Sequence, residues 1–339
     1  MVQKKERLMQ KIVFTLCSNN YLAHAKTLGD SLRATNPDVE FIIGLTDKLS
    51  PQIDYTFFEP FQIIPYDAIG VDFFEEMVHQ YNIIEFNTSV KPFYFEYLFQ
   101  KYGADSLVYY VDPDIAVYGS FEEMNNLLLT NNFLVTPHIL KPLLEPSPFE
   151  TVFLNVGVYN LGFIGMRHSE TTTLFLKWWQ RRLREFCYIN FSKGLFVDQL
   201  WVNFIHLLFD KAYILPSPGY NMAYWNMYER KLFVSDGKYF VNTSDTPLVF
   251  FHFSGYDFSN NPLKCTKDKR SEFTLENRPD VADLFKQYGA WVKDNRYEQL
   301  SKVAPLLPFK PLKIKRTQRQ RIGYFLERHT TKLIKRIFY

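Results

Sequence analysis

Through the first two thirds of the chain, short apolar runs alternate with segments in which apolar residues recur every three or four positions. The first pattern suits buried strands and the second suits helices with one buried face. Ile12–Leu16 predicts an opening strand; Tyr21, Ala25, Leu28 and Leu32 then recur at helical spacing until Asn36-Pro37 stops the helix. Phe41–Leu45 predicts a second strand, and Phe61–Ile64, ended by Pro65, a third. A helix around Phe93–Tyr102 ends at Gly103, after which Leu107–Val111 is a buried strand running into Asp112-Pro113-Asp114. Phe133–Thr136 is a strand closed by Pro137, and residues 138–152, with Pro142, Pro146 and Pro148, read as a loop. The apolar stretch Asn155–Arg167 hands over near Ser169 to a helix whose inner face carries Phe175, Trp179, Leu183 and Phe186. Another helix follows Asp198, strands are expected at Ala212–Leu215 and Leu248–Phe253, and beyond Pro262 two or three helical segments close the chain. Such alternation predicts an α/β fold with a largely parallel sheet flanked by helices.

Composition narrows this picture. The chain has 339 residues, of which 47% are hydrophobic and 18% aromatic, enough for a large core and too apolar for a disordered protein. Cys17, Cys187 and Cys265 lie far apart, which builds neither a disulfide framework nor a metal-ligand spacing and fits a reducing compartment. The apolar stretch Ile12–Cys17 is too short for the core of a leader, and no uncharged run reaches the roughly 20 residues of a membrane span. A cytoplasmic protein is therefore expected. The net charge of +3 hides an asymmetry: Lys310–Tyr339 holds ten basic residues to one acid, a +9 tail on a body of −6. Because those basic residues alternate with Ile322, Phe325, Leu326, Leu333, Ile334, Ile337 and Phe338, the tail reads as a helix for an anionic membrane surface, or one docked on the acidic body. An acidic body argues against nucleic acid as the partner.

Several residues carry candidate chemistry. Asp112 and Asp114 follow a buried strand, where open α/β sheets place ligands, and in extended backbone they would point to one side. Hard oxygens so placed suit Mg²⁺ or Mn²⁺ bridging a diphosphate, although a lone Asp-x-Asp also arises by chance. His252 ends another apolar run, where a core histidine is the plainer reading. Asp198-Gln199 stands at a helix start, where Asp198 reads most simply as an N-cap. Gly162 in Asn160-Leu161-Gly162 marks a bulge or a close approach to a ligand or a strand.

The order of these pieces adds information. KIVFTLCSNNYLAHAKTLGDSLRATNPDVEFIIGLTD, SLVYYVDPDIAVYGSF, YNLGFIGM, FVDQLWVN and VFFHFSGYD, spread over roughly residues 11–260, together resemble the successive motifs of the GT-A glycosyltransferases. The likeness is to the retaining family 8, which includes glycogenin and bacterial lipooligosaccharide galactosyltransferases. The resemblance implies a nucleotide-sugar-dependent catalytic domain over 10–262; the helical segments that follow are expected to form an extension over 263–339 that carries the basic tail. The resemblance also implies Mn²⁺ (or Mg²⁺) on Asp112, Asp114 and His252, and donor contacts from Asn19, Lys91, Asn160, Gly162 and Gly255. Asp198 and Gln199 would lie beneath the transferred sugar, with retention of configuration. The implied partners are a nucleotide-sugar donor, a UDP-sugar above all, and a glycan or lipid-linked acceptor; the basic tail would place the enzyme on the inner face of a membrane. Two departures stand out. The family's lysine after His-x-Gly is Phe258 here, with Lys264 as a substitute, and the acids after the first strand are replaced by Cys17-Ser18-Asn19-Asn20, which leaves the base open. The alternative is a non-catalytic relative that binds nucleotide sugar or carbohydrate.

Overall fold

The computed structural model describes residues 9–103, 105–143 and 148–311. Its fourteen described strands are β1 (Gln10–Cys17), β2 (Glu40–Leu45), β3 (Gln62–Pro65), β4 (Ser106–Val111), β5 (Ile115–Val117), β6 (Phe133–Pro137), β7 (Tyr159–Arg167), β8 (Ile189–Asn190), β9 (Leu195–Phe196), β10 (Ala212–Ile214), β11 (Met222–Ala223), β12 (Leu232–Ser235), β13 (Lys238–Val241) and β14 (Phe250–His252). Seven of them form the central sheet in the order β10-β6-β7-β4-β1-β2-β3. Within it β7 runs antiparallel to both β4 and β6, and every other pairing is parallel. A small second sheet, β11-β14-β5, forms where β5 pairs antiparallel with β14 and sets His252 opposite Ile115.

Helices cover both faces of the central sheet. They are α1 (Leu22–Thr35), α2 (Phe74–Gln80), α3 (Ile83–Ser89), α4 (Lys91–Tyr102), α5 (Glu122–Leu128), α6 (Pro148–Val156), α7 (Glu170–Phe186), α8 (Gln199–Val202), α9 (Ile205–Leu208), α10 (Pro279–Asp294) and α11 (Tyr297–Leu300). Alternation along β1 sends Ile12, Phe14 and Leu16 into a core shared with α2, α3, α4 and α7, while Val13 and Cys17 enter a second core shared with α1 and α10. Val281, Leu284, Phe285 and Tyr288 of α10 join that second core against Phe251 and Phe253. All three cysteines are buried and free. No described helix is long and apolar enough to cross a membrane.

Two expectations need correction. Residues 148–152, the end of the predicted proline-rich loop, open helix α6, because proline is tolerated in a helix's first turn; the strand that follows starts at Tyr159, not Asn155. Phe186, assigned to the inner face of α7, is 45% exposed, while its neighbours Leu183 and Cys187 hold the end of the helix to the core. The basic tail lies outside the described residues, save Lys310 at its start.

Candidate active site

β4 delivers Asp112 to the edge of the sheet, where its N–H donates to the Gly162 carbonyl at 2.7 Å. The chain then turns, with the Ile115 N–H on the Asp112 carbonyl at 3.1 Å, and re-enters as β5. The two aspartates thus sit on a turn rather than on the extended backbone that the sequence suggested. The turn still presents both carboxylates to His252, whose Nε2 lies 3.0 Å from Asp114 Oδ1 and 3.7 Å from Asp112 Oδ2. One ligand atom from each of the three residues falls within 4.8 Å of the others.

His252 occupies this position because Gly162 leaves room for it. A Cβ on Gly162 would stand 2.5 Å from His252 Cε1 and 2.7 Å from Nδ1, and the Trp225 ring meets the imidazole edge-on with centroids 5.2 Å apart. Burial pushes the His252 pKa down, yet the charges of Asp114 and Asp112 outweigh it, so the ring is held above its ordinary value. Burial raises Asp112. Asp114 feels burial too, but the charge of His252 and its hydrogen bond bring it below the usual carboxylate range.

A second charged pair adjoins this cluster. Lys91, at the start of α4, donates from Nζ to Asp198 Oδ2 at 2.5 Å and to the Leu161 carbonyl at 2.9 Å, with both side chains buried. Asp198 therefore does not cap α8, since its carboxylate is spent on Lys91. Burial still raises its pKa against the pull of Lys91. The same ammonium lies 3.9 Å over the Tyr110 ring, and Tyr110 donates its hydroxyl to Asp112 Oδ1 at 2.6 Å. Asp198, Lys91, Tyr110 and Asp112 thus form one contiguous chain of contacts.

Gln199 is held at both ends: Oε1 accepts from the Leu161 N–H at 2.9 Å and Nε2 donates to the Val156 carbonyl at 2.6 Å. It lines a cleft of about 540 Å³ together with Asn160, His138, Phe153, Trp225 and Arg270. Asn160 Oδ1 accepts from Asn221 Nδ2 at 3.0 Å, and Asn160 Nδ2 lies 3.4 Å from His138 Nε2.

Asn19 and Gly255 are placed differently. Asn19 is fully buried; its amide donates to Asp47 and to the Lys48 carbonyl while its oxygen accepts from the Tyr55 hydroxyl, so the side chain shapes the loop after β1. Gly255, at φ +69°, turns the chain after β14 and accepts the Lys267 N–H at 2.8 Å. Phe258 is buried against Tyr256 and Tyr297. Lys267, nearby in the chain, pairs with Asp257 at 3.3 Å.

Sequence reasoning missed His138, Tyr110, Trp225 and Asn221. A signal for His138 existed: like Asp112, it directly follows a sheet strand. Trp225 and Asn221 lie in an irregular stretch whose position depends on tertiary packing.

No protein-family model matches the chain. It is 25% identical over 281 residues to "Uncharacterized protein YfnF" of Bacillus subtilis (strain 168), covering 80% of this chain and 89% of that one. Among solved structures it is similar to the galactosyltransferase LgtC in complex with donor and acceptor sugar analogs, at 16% identity and a TM-score of 0.45, over 87% of this chain and 98% of that one. It is similar also to the glycosyltransferase GlyE of Streptococcus pneumoniae TIGR4, at 13% identity and a TM-score of 0.48, over 87% of this chain and 66% of that one.

Proposed function

We propose that the chain is a metal-dependent glycosyltransferase that moves a sugar from a nucleotide-sugar donor to a glycan or lipid-linked acceptor. The observation that carries this reading is the convergence of Asp112, Asp114 and His252, from segments more than a hundred residues apart, beside a cleft lined by Asn160 and Gln199. Two carboxylate oxygens and one imidazole nitrogen are a donor set that fits Mn²⁺ or Mg²⁺. A cation bound there would supply positive charge to a leaving nucleoside diphosphate, the largest electrostatic demand of glycosyl transfer.

The protein's own groups have distinct tasks in this reading. Tyr110 orients Asp112 through its hydroxyl, and Lys91 adds a buried positive charge balanced by Asp198. Asn160 faces the donor sugar. Gln199, its amide fixed by Leu161 and Val156, presents a rigid polar surface below the anomeric carbon, with Asp198 behind it. Retention of configuration, a UDP-sugar as donor, a catalytic domain over 10–262 and work at the inner face of a membrane belong to the same proposal. The first three rest on the motif resemblance, and the membrane on the basic tail with its interleaved apolar residues.

The test is a screen of nucleotide sugars with Mn²⁺, scored by release of nucleoside diphosphate. Asp112→Asn and Asp114→Asn are expected to abolish turnover with little change in melting temperature, and EDTA to stop the wild type. Full activity in excess EDTA overturns the metal reading. Tight donor binding without turnover would instead favour a non-catalytic relative, and a β-linked product from an α-linked donor, read from the anomeric coupling in NMR, would overturn retention.

A further inference from the structure

A second cavity of about 520 Å³ lies between α1, α10 and the β12–β13 hairpin. Its size matches that of the cleft beside Gln199 and falls within the roughly 300–1,000 Å³ of ordinary ligand sites. It lies at the far end of β5 from the Asp114 carboxylate: Tyr118 follows that strand, four residues on, or roughly 13 Å of extended chain. None of its lining residues belongs to the site described above.

The walls are aromatic and the rim is polar. Tyr118 stacks near Trp291 with ring centroids 6.1 Å apart and meets Tyr239 edge-on at 5.3 Å, giving adjoining flat apolar surfaces from three separate elements. The Tyr118 hydroxyl is buried and has no hydrogen-bond partner. On the rim, Asn295 Nδ2 donates to Thr27 Oγ1 at 3.0 Å and to Asp30 Oδ2 at 3.2 Å, while Lys26 holds both Asp30 oxygens at 3.0 Å. Asp30 and Asn295 are therefore fixed in orientation before any ligand arrives.

Charge selects the ligand class. With Asp30 neutralised by Lys26, the lining leaves Asp294 against Lys238, so the cavity carries no net charge and no cluster of cations to hold phosphates, nucleotides or anionic headgroups. What suits aromatic walls beside a carboxylate and an amide is a neutral molecule with apolar C–H faces and many hydroxyls. The last described residues lie elsewhere: the Lys310 N–H donates to the Tyr81 carbonyl, and Phe309 packs on Phe86, on the other face of the sheet. We propose that this cavity is a second, non-catalytic saccharide-binding site that holds a segment of neutral glycan against Tyr118, Trp291 and Tyr239. The proposal rests on the cavity itself and stands whether or not the transferase reading holds.

The experiment is saturation-transfer NMR on the full-length protein with neutral linear hexasaccharides of glucose, galactose and N-acetylglucosamine, alongside AMP and UMP as anionic probes. At least one hexasaccharide is expected to bind in the millimolar range. That binding should persist in Trp225→Ala, which alters the cleft beside Gln199, and should weaken by about tenfold or more in Trp291→Ala and in Tyr239→Ala. Either variant suffices should the other fail to fold. Absence of binding by all three hexasaccharides, binding lost only in Trp225→Ala, or nucleotide binding that depends on Trp291 would each overturn the proposal.

Discussion

Gly162 shows how one missing methyl group sustains a site. The His252 ring fills the space that a side chain at 162 would take and is backed by Trp225, so it has little freedom to retreat. Gly162→Ala is expected to tilt the imidazole away from Asp114 and to lower Mn²⁺ affinity about 10- to 100-fold, the effect usual for groups that orient metal ligands. Calorimetric titration with Mn²⁺ checks this, and an unchanged affinity would count against the three-ligand site. Histidines also set a pH response. His24 and His138 are buried with Nδ1 unpartnered, and burial lowers each from an ordinary 6.5 to about 4. In the unfolded chain each takes up a proton near 6.5, whereas the folded protein resists until about 4. Stability is therefore complete above pH 6.5 and is lost as the pH falls toward 4, by about 2 kcal/mol per histidine at pH 5. Urea unfolding at pH 7 and pH 5 measures the loss, and His138→Asn should shrink it; an equal loss in wild type and variant would refute the assignment.

At the level of elements, what the sequence made legible follows from local pattern. β1, β2, β4 and β6 were readable because each is a short apolar run ended by a polar residue, a glycine or a proline, and buried strands need nothing more. The helix at Ser169 was readable from the spacing of Phe175, Trp179 and Leu183, and Ser169 caps it, its Oγ accepting from the Thr172 N–H at 3.0 Å. What failed depended on partners distant in sequence. Asp198 looked like a cap until Lys91, 107 residues earlier, took its carboxylate. Asn19 looked like a ligand contact until Asp47, Lys48 and Tyr55 consumed its amide. Asp47, the last residue of the opening motif, ties three segments together: Oδ1 accepts from the N–H groups of Lys48, Leu306 and Leu307, and Oδ2 accepts from Asn19. Asp47→Ala strands these donors in a buried setting and should cost about 2–4 kcal/mol. It should also open the segment after α11 to limited proteolysis. Asp47→Asn, which keeps one acceptor oxygen, should be milder; equal stability of Asp47→Ala and wild type would remove Asp47 from this role.

For the whole molecule, two charge distributions meet: a body that is mildly acidic and a C-terminal stretch that is strongly basic and interleaved with apolar residues. The described chain ends with Phe309 and Lys310 packed beside α3, on the sheet face covered by α4 and α7. Basic residues near an anionic leaflet contribute roughly 1 kcal/mol each, so engagement of half the ten would hold the protein reversibly at low salt. The same residues could be drawn to the acidic body, and only the salt-dependent difference between two chain lengths separates the outcomes. Full-length protein should co-sediment with vesicles containing anionic lipid and be released by raised salt, whereas a chain ending at residue 311 should stay in the supernatant. If the acceptor is lipid-linked, the shortened chain should also lose transfer to it while keeping donor hydrolysis. Equal, weak sedimentation of both chains would reject the membrane role and assign the tail to the protein's own surface.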